Sequence, residues 1–125
     1  MNKPNVLIGK KDPNKKVVFD SPSRTVYLYF GKDEGASFGA GICHIPQRSS
    51  NVRHAHNDAD EIIYVLKGKL RFWFPDEEYV LTAEEAIFIP KNFEHQIFND
   101  TDKIASHSFT FTPPGPETAI RNKYQ

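Results

Sequence analysis

The sequence predicts an all-β domain, and three observations carry that expectation. Short apolar runs rich in β-branched and aromatic side chains recur along the chain. Clusters of Gly, Pro, Asn and Asp break them at short intervals. No long stretch carries the roughly 3.6-residue apolar period of a helix. Composition agrees: hydrophobic residues are a low 38%, but 13% of the chain is aromatic, with ten Phe. That mixture fits a compact β protein with large core side chains better than a disordered chain.

The elements follow in order. Val17 to Phe19 reads as a first strand, closed by Asp20-Ser21-Pro22-Ser23. Thr25 to Phe30 is β-branched and aromatic, and Gly31 to Gly35 turns the chain. Phe38 to Ile45 is a Gly-dotted strand that stops before Pro46. Glu61 to Leu66 is an apolar strand, Lys67-Gly68-Lys69 a tight turn, and Leu70 to Phe74 the returning strand. Tyr79 to Leu81, Ala86 to Ile89, His95 to Phe98 and Ile104 to Phe111 complete eight to ten short strands. That number and spacing call for a barrel or sandwich. Thr118 to Tyr124 is expected to form one short helix. The 125 residues make one domain. We expect an arm over 1–16, the β domain over 17–116 and a tail or short helix over 117–125. Val6-Leu7-Ile8 in the arm is a candidate edge strand, in this chain or a neighbouring subunit.

Charge and cysteine usage exclude several function classes. Lys+Arg and Asp+Glu both count 16, so the net charge is zero. No basic stripe interleaved with aromatics marks a nucleic-acid surface, and nothing draws the chain to anionic lipid. Neither nucleic acid nor membrane is therefore an expected partner. The single cysteine, Cys43, leaves no disulfide framework and no paired-cysteine metal site. No apolar run reaches bilayer-spanning length, and the start lacks an apolar signal region. A cytoplasmic location is the expectation, and it suits a lone thiol.

The chemistry concentrates in His54-Ala55-His56-Asn57-Asp58-Ala59-Asp60-Glu61. Residues two apart on a strand face the same side, so on the strand expected at His54 and His56 two imidazoles can converge on one ion. Glu61 follows a short loop, which can return its carboxylate to the same point. His95 is a fourth candidate, at the start of another strand. Three imidazoles and one carboxylate suit a single divalent transition metal: Fe, Mn, Ni, Co, Cu or Zn. Four protein ligands leave octahedral positions open for water, substrate or dioxygen.

These residues resemble the two motifs of the cupin family. The first motif is His-x-His, three or four residues, Glu, six residues, Gly; here His54, His56, Glu61 and Gly68 stand at that spacing. The second ends Pro-x-Gly-x-x-His-x-x-x-Asn, matched by Pro90, His95 and Asn99, with Asn92 in place of the glycine. Arg48 and Glu84 stand where the two motifs usually open with glycine. These departures bear on turn shape at the pocket mouth and leave all four ligand positions filled. The resemblance implies a small double-stranded β-helix, or jelly-roll, barrel holding a metal near one end. It implies His54, His56, Glu61 and His95 as ligands, and a homodimer as the assembly.

Strand alternation gives an expected inward set. Glu61, Ile63 and Val65 share one side; so do His95, Ile97 and Asn99, and so do Ala105, His107, Phe109 and Phe111. His107 is therefore a candidate general base or ligand donor. Parity does not settle whether His44 or Cys43 faces in, and Cys43 reads as a small buried hydrophobe. Arg48 and Arg53 are candidates to meet an anionic ligand at the mouth. Tyr27, Tyr29, Phe72, Trp73 and Phe74 belong to core or interface. The expected function is a metal-dependent enzyme acting on a small organic molecule, as a dioxygenase or as an isomerase or lyase by Lewis-acid chemistry. The alternatives are a non-catalytic module that binds a sugar or organic acid, and a metal that merely closes the barrel.

Overall fold

The computed structural model describes residues 6–20 and 23–121. The turn at Ser21-Pro22 and the end of the expected helix, Asn122 to Tyr124, lie outside the described residues. The strands are β1 (Lys16–Asp20), β2 (Ser23–Phe30), β3 (Gly39–Ile45), β4 (Ser49–Ser50) and β5 (Asp60–Lys67). Then come β6 (Lys69–Trp73), β7 (Glu78–Thr82), β8 (Ala86–Ile89), β9 (Gln96–Asn99) and β10 (Ala105–Thr112). One short helix, α1 (Glu117–Arg121), follows.

A six-stranded sheet in the order β1-β2-β3-β10-β5-β8 faces a four-stranded sheet in the order β4-β9-β6-β7. All named strand pairs are antiparallel. Strands β3, β5 and, after the bulge at Ser106/His107, β10 alternate one buried and one more exposed side chain, as a sheet with one covered face requires. The expected inward set is buried throughout: Glu61, Ile63 and Val65; His95, Ile97 and Asn99; Ala105, His107, Phe109 and Phe111. The structure resolves the open parity of β3: Cys43 and Ile45 are buried, and His44 lies on the other face. Phe72, Leu70, Ile63 and Val65 are fully buried between the sheets. Each such side chain stabilises the fold by about 1.5–3 kcal/mol.

Three local features differ from the sequence expectation. Strand β4 is two polar residues, Ser49 and Ser50, paired with Asn99 and Phe98. Nothing apolar marks it, because its partner alone defines it. The Gly31 to Gly35 turn contains a 3₁₀ turn at Lys32–Glu34. Val6, Leu7 and Ile8 form no strand of this chain and are exposed.

Glu117 fixes the chain after β10. Its Oε2 accepts from the Lys32 N–H at 2.9 Å and its Oε1 from the Gly115 N–H at 2.8 Å. The side chain is buried, and a Cβ on Gly31 or Gly39 would collide with it. Glycine at both positions admits the carboxyl group. This anchor brings Ile120 of α1 against the core and over one end of the barrel.

Candidate metal centre

His54 lies in an extended loop before β5, and His95 lies just before β9. Neither belongs to a strand, unlike the sequence expectation for both. A single antiparallel bridge joins them: His54 N–H donates to His95 O at 2.9 Å, and His95 N–H to His54 O at 2.8 Å. Asn92 N–H donates to His56 O at 2.9 Å, so the two loops run side by side. Glu61 is the second residue of β5, held between Phe111 of β10 and Ile89 of β8.

This backbone brings the three imidazoles together. His54 and His95 rings lie 4.3 Å apart between centroids, His54 and His56 4.7 Å, and His56 and His95 5.4 Å. One ring nitrogen of each lies within 4.8 Å of the others, so the three histidines could hold a metal ion. Glu61 Oε1 is 3.2 Å from His56 Nε2 and 3.5 Å from His95 Nε2.

Hydrogen bonds at the far side of two rings fix their tautomers. His54 Nδ1–H donates to Val52 O at 2.7 Å, and His95 Nδ1–H donates to Phe93 O at 2.8 Å. With Nδ1–H so committed, the neutral form of each ring turns its Nε2 lone pair toward the cluster. Burial, with His95 and His56 alongside, pushes the His54 imidazole down to about 4. Burial raises the Glu61 carboxyl, but the facing His56 and His95 outweigh it and hold the group at about 2, ionised. Glu61 Oε1 and His95 Nε2 are buried with no hydrogen-bond partner. A buried carboxylate oxygen and a buried ring nitrogen without hydrogen-bond partners, beside two further imidazoles, are what a cation would satisfy, so these residues fit a divalent metal.

The cluster stands at the base of an opening. An outer cleft of about 510 Å³ is lined by His54, His56, Asp58, Phe111, Pro114 and Ile120. Beneath it an inner chamber of about 70 Å³ reaches Cys43, Glu61, His107 and Phe109. His107 therefore lies where parity put it. Its Nδ1–H donates to Ser108 O at 2.9 Å, and burial lowers its pKa. Cys43 also faces the chamber, with burial pushing its thiol up to about 12.

Other candidates lie elsewhere. His44 is outside the chamber, its Nδ1 2.6 Å from Ser106 Oγ and its ring edge-on to Tyr27. Arg48 pairs with Asp102 at 2.9 Å on the surface, and Arg53 stacks 3.8 Å over Trp73. Neither lines the cleft: Arg53, next to His54 on an extended chain, points to the opposite side, as alternation requires, and Arg48 is held at the surface by Asp102. Asn99 is structural: its Nδ2 donates to Ile45 O, Pro46 O and Lys103 O, closing the loop after β9. Sequence reading missed Arg24, which lines both cleft and chamber. The signal was parity with the buried Val26, had the strand been started before Thr25.

The motif's missing glycines leave a clear trace. Arg48, Glu84 and Asn92 all adopt positive φ, at 54°, 75° and 63°. The left-handed backbone is kept where the residue has changed. Asn92 lies beside His56, whereas Arg48, bonded to Thr101 O, and Glu84, bonded to Val65 O, lie at the strand ends away from the histidines and, contrary to the expectation, do not shape the mouth.

Comparison with known proteins agrees with this fold. The chain is 27% identical over 119 residues to the polyketide synthase CurC of Streptomyces cyaneus, covering 94% of this chain and 75% of that one. The predicted oxalate decarboxylase of Thermotoga maritima superposes with a TM-score of 0.77 at 15% identity, over 86% of this chain and 99% of that one. The Clostridium difficile EutQ protein gives 0.63 at 24% identity, over 83% and 80%. At those identities the two structures speak for the fold alone. The family described as Cupin domain matches residues 41–110, from β3 through β10 and across all four clustered side chains. More than half of the chain is matched, and it belongs to the cupin family.

Proposed function

We propose that this chain is a metal-dependent enzyme acting on a small organic molecule, with His54, His56, Glu61 and His95 holding one divalent transition metal. The observation that carries this reading is the convergence of three imidazoles and a carboxylate, two of their donor atoms buried without a hydrogen-bond partner, at the floor of an open cleft. A metal bound there supplies Lewis acidity or, if it is redox-active, dioxygen chemistry. The chain's own residues do the rest. Val52 O and Phe93 O lock the His54 and His95 rings in orientation. Phe111 stands edge-on to His56 at 4.7 Å between ring centroids and limits water beside it. His107, neutral through burial and with its Nδ1–H committed to Ser108 O, presents Nε2 as an acceptor for a substrate proton. The small chamber takes the reacting end of a substrate, and the outer cleft takes the remainder.

The test is turnover of small acids, enols and diketones by protein loaded with Fe(II) or with Zn(II). Oxygen uptake with iron alone assigns a dioxygenase; turnover with zinc assigns an isomerase or lyase. Tight ligand binding without turnover under either metal would favour the binding module instead. We also propose a homodimer and a cytoplasmic location. The first is supported by Ile62 and Phe88, register partners on β5 and edge strand β8, 47% and 58% exposed on one outer face. The second is supported by the single free thiol.

A further inference from the structure

Arg24 stands in β2, two residues before the buried Val26 and on the same side of the strand. Its guanidinium lies 4.0 Å over the Phe19 ring, which fixes one face of the fork. Among the described residues no carboxylate lies within ion-pair distance of its guanidinium, and the guanidinium makes no hydrogen bond to them. Other arginines of the domain are committed. Arg48 pairs with Asp102, Arg71 bridges Asp100 and Glu78, and Arg53 covers Trp73.

Arg24 is half-buried and lines both the outer cleft and the inner chamber, together with His54 and His56. Burial lowers its pKa from the ordinary value, the direction expected of a cation stripped of water. A partly desolvated cation with an aromatic ring on one face and no anionic partner among the described residues is costly to the fold, and an anion entering the cleft offsets that cost. A planar fork held on one face by an aromatic ring suits a carboxylate, which it can grip with two parallel hydrogen bonds. The acids on these walls do not fill that role: Glu61 faces His56 and His95, and Asp58 is exposed at the rim. Val52, Phe111, Pro113, Pro114 and Ile120 make the neighbouring cleft wall apolar.

We infer that Arg24 is the anion-recognition residue of this cleft, and that its ligand is a small carboxylate with an apolar body. The carboxylate sits on the Arg24 fork, and the body packs against Phe111 and Ile120. This rests on the reading of the cleft as the substrate site and names its substrate class.

The test titrates benzoate and its uncharged analogue benzamide into zinc-loaded and metal-free protein by calorimetry. Wild type, Arg24→Gln, Arg24→Met and Arg53→Gln are compared, each checked for fold by circular dichroism and for metal by elemental analysis. Wild type is expected to prefer benzoate. Either Arg24 variant should bind benzoate about tenfold or more weakly, as loss of a charge-assisted pair requires, and bind benzamide unchanged. Arg53→Gln should behave as wild type, and metal content should not change in any variant. Equal benzoate affinity in wild type and a folded Arg24 variant, or no saturable benzoate binding to wild type, overturns the assignment. Wild type that takes up no zinc overturns the metal reading instead, and the metal-free titration then decides Arg24 alone.

Discussion

Glu84 at φ 75° and Arg48 at φ 54° occupy backbone that glycine adopts without strain. A side chain there costs about 1–2 kcal/mol, partly offset by glycine's greater freedom in the unfolded chain. Glu84→Gly is therefore expected to stabilise the protein by about 0.5–1 kcal/mol in chemical denaturation. Asn92→Gly should gain less, because the Asn92 Oδ1 accepts the Asp58 N–H at 3.2 Å and that bond would go. A Glu84→Gly variant less stable than wild type would contradict this account. Cys43 supplies a second prediction at this scale. Its thiol is buried and pushed up to about 12, so little thiolate exists at ordinary pH. Iodoacetamide at pH near 8, about the ordinary thiol pKa, should leave the folded protein unmodified and label it after denaturation; rapid native labelling would show that the chamber opens. At the residue scale, the clustered side chains were legible because their spacing is short and their types are chemically restricted. Arg24 was not, because it is remote in sequence from the histidines and only strand pairing brings it to them.

Among the elements, the long strands were legible from β-branched and aromatic runs with turn residues between them. The exceptions have physical causes. Strand β4 is two serines that pair only because β9 passes beside them. His54 and His95 were read as strand residues because a lone bridge has the same extended backbone as a strand without its continuing ladder. The helix expectation fell on the right segment, but what docks α1 is Glu117, one residue before the expected start. That buried side chain accepts one backbone N–H from Lys32, far away in sequence, and one from Gly115 just before the helix. Glu117→Ala would leave the Lys32 and Gly115 donors without their acceptor and open a void beside Gly31 and Gly39. The expected loss is about 2–3 kcal/mol, seen as a lower melting temperature. The same variant should loosen Ile120 and the cleft wall, read as faster proteolysis of the C-terminal segment. A melting temperature equal to wild type would remove Glu117 from this role.

For the whole molecule, the pairing order decides what meets what. Strands β10 and β5 are adjacent only through a return of the chain from the far sheet, and that return sets His107 and Glu61 in one chamber. Adjacent loops bring His54 and His56 beside His95. The outer face of the six-stranded sheet carries Ile62, Tyr64, Leu66 and Phe88 in the open, a concentration that a second copy of the chain would cover. Light scattering should give twice the chain mass for wild type and the chain mass for Ile62→Lys/Phe88→Lys; a monomeric wild type would refute the dimer. No helix among the described residues is long and apolar enough to cross a membrane. Family motifs made the barrel legible before any pairing was known. The cleft was legible only in part, since its far wall comes from Pro113 to Ile120, beyond both motifs.

The central claim is that the converging His54, His56, Glu61 and His95 side chains bind a metal. It is tested most directly by elemental analysis of protein made without a polyhistidine tag, beside a His54→Ala/His56→Ala variant. The account predicts about one transition metal ion per chain in the wild type, as a single four-ligand site requires, and none in the variant. Wild type that stays metal-free after reconstitution with Fe, Mn, Ni, Co, Cu and Zn, or a variant that keeps the full complement, would contradict it.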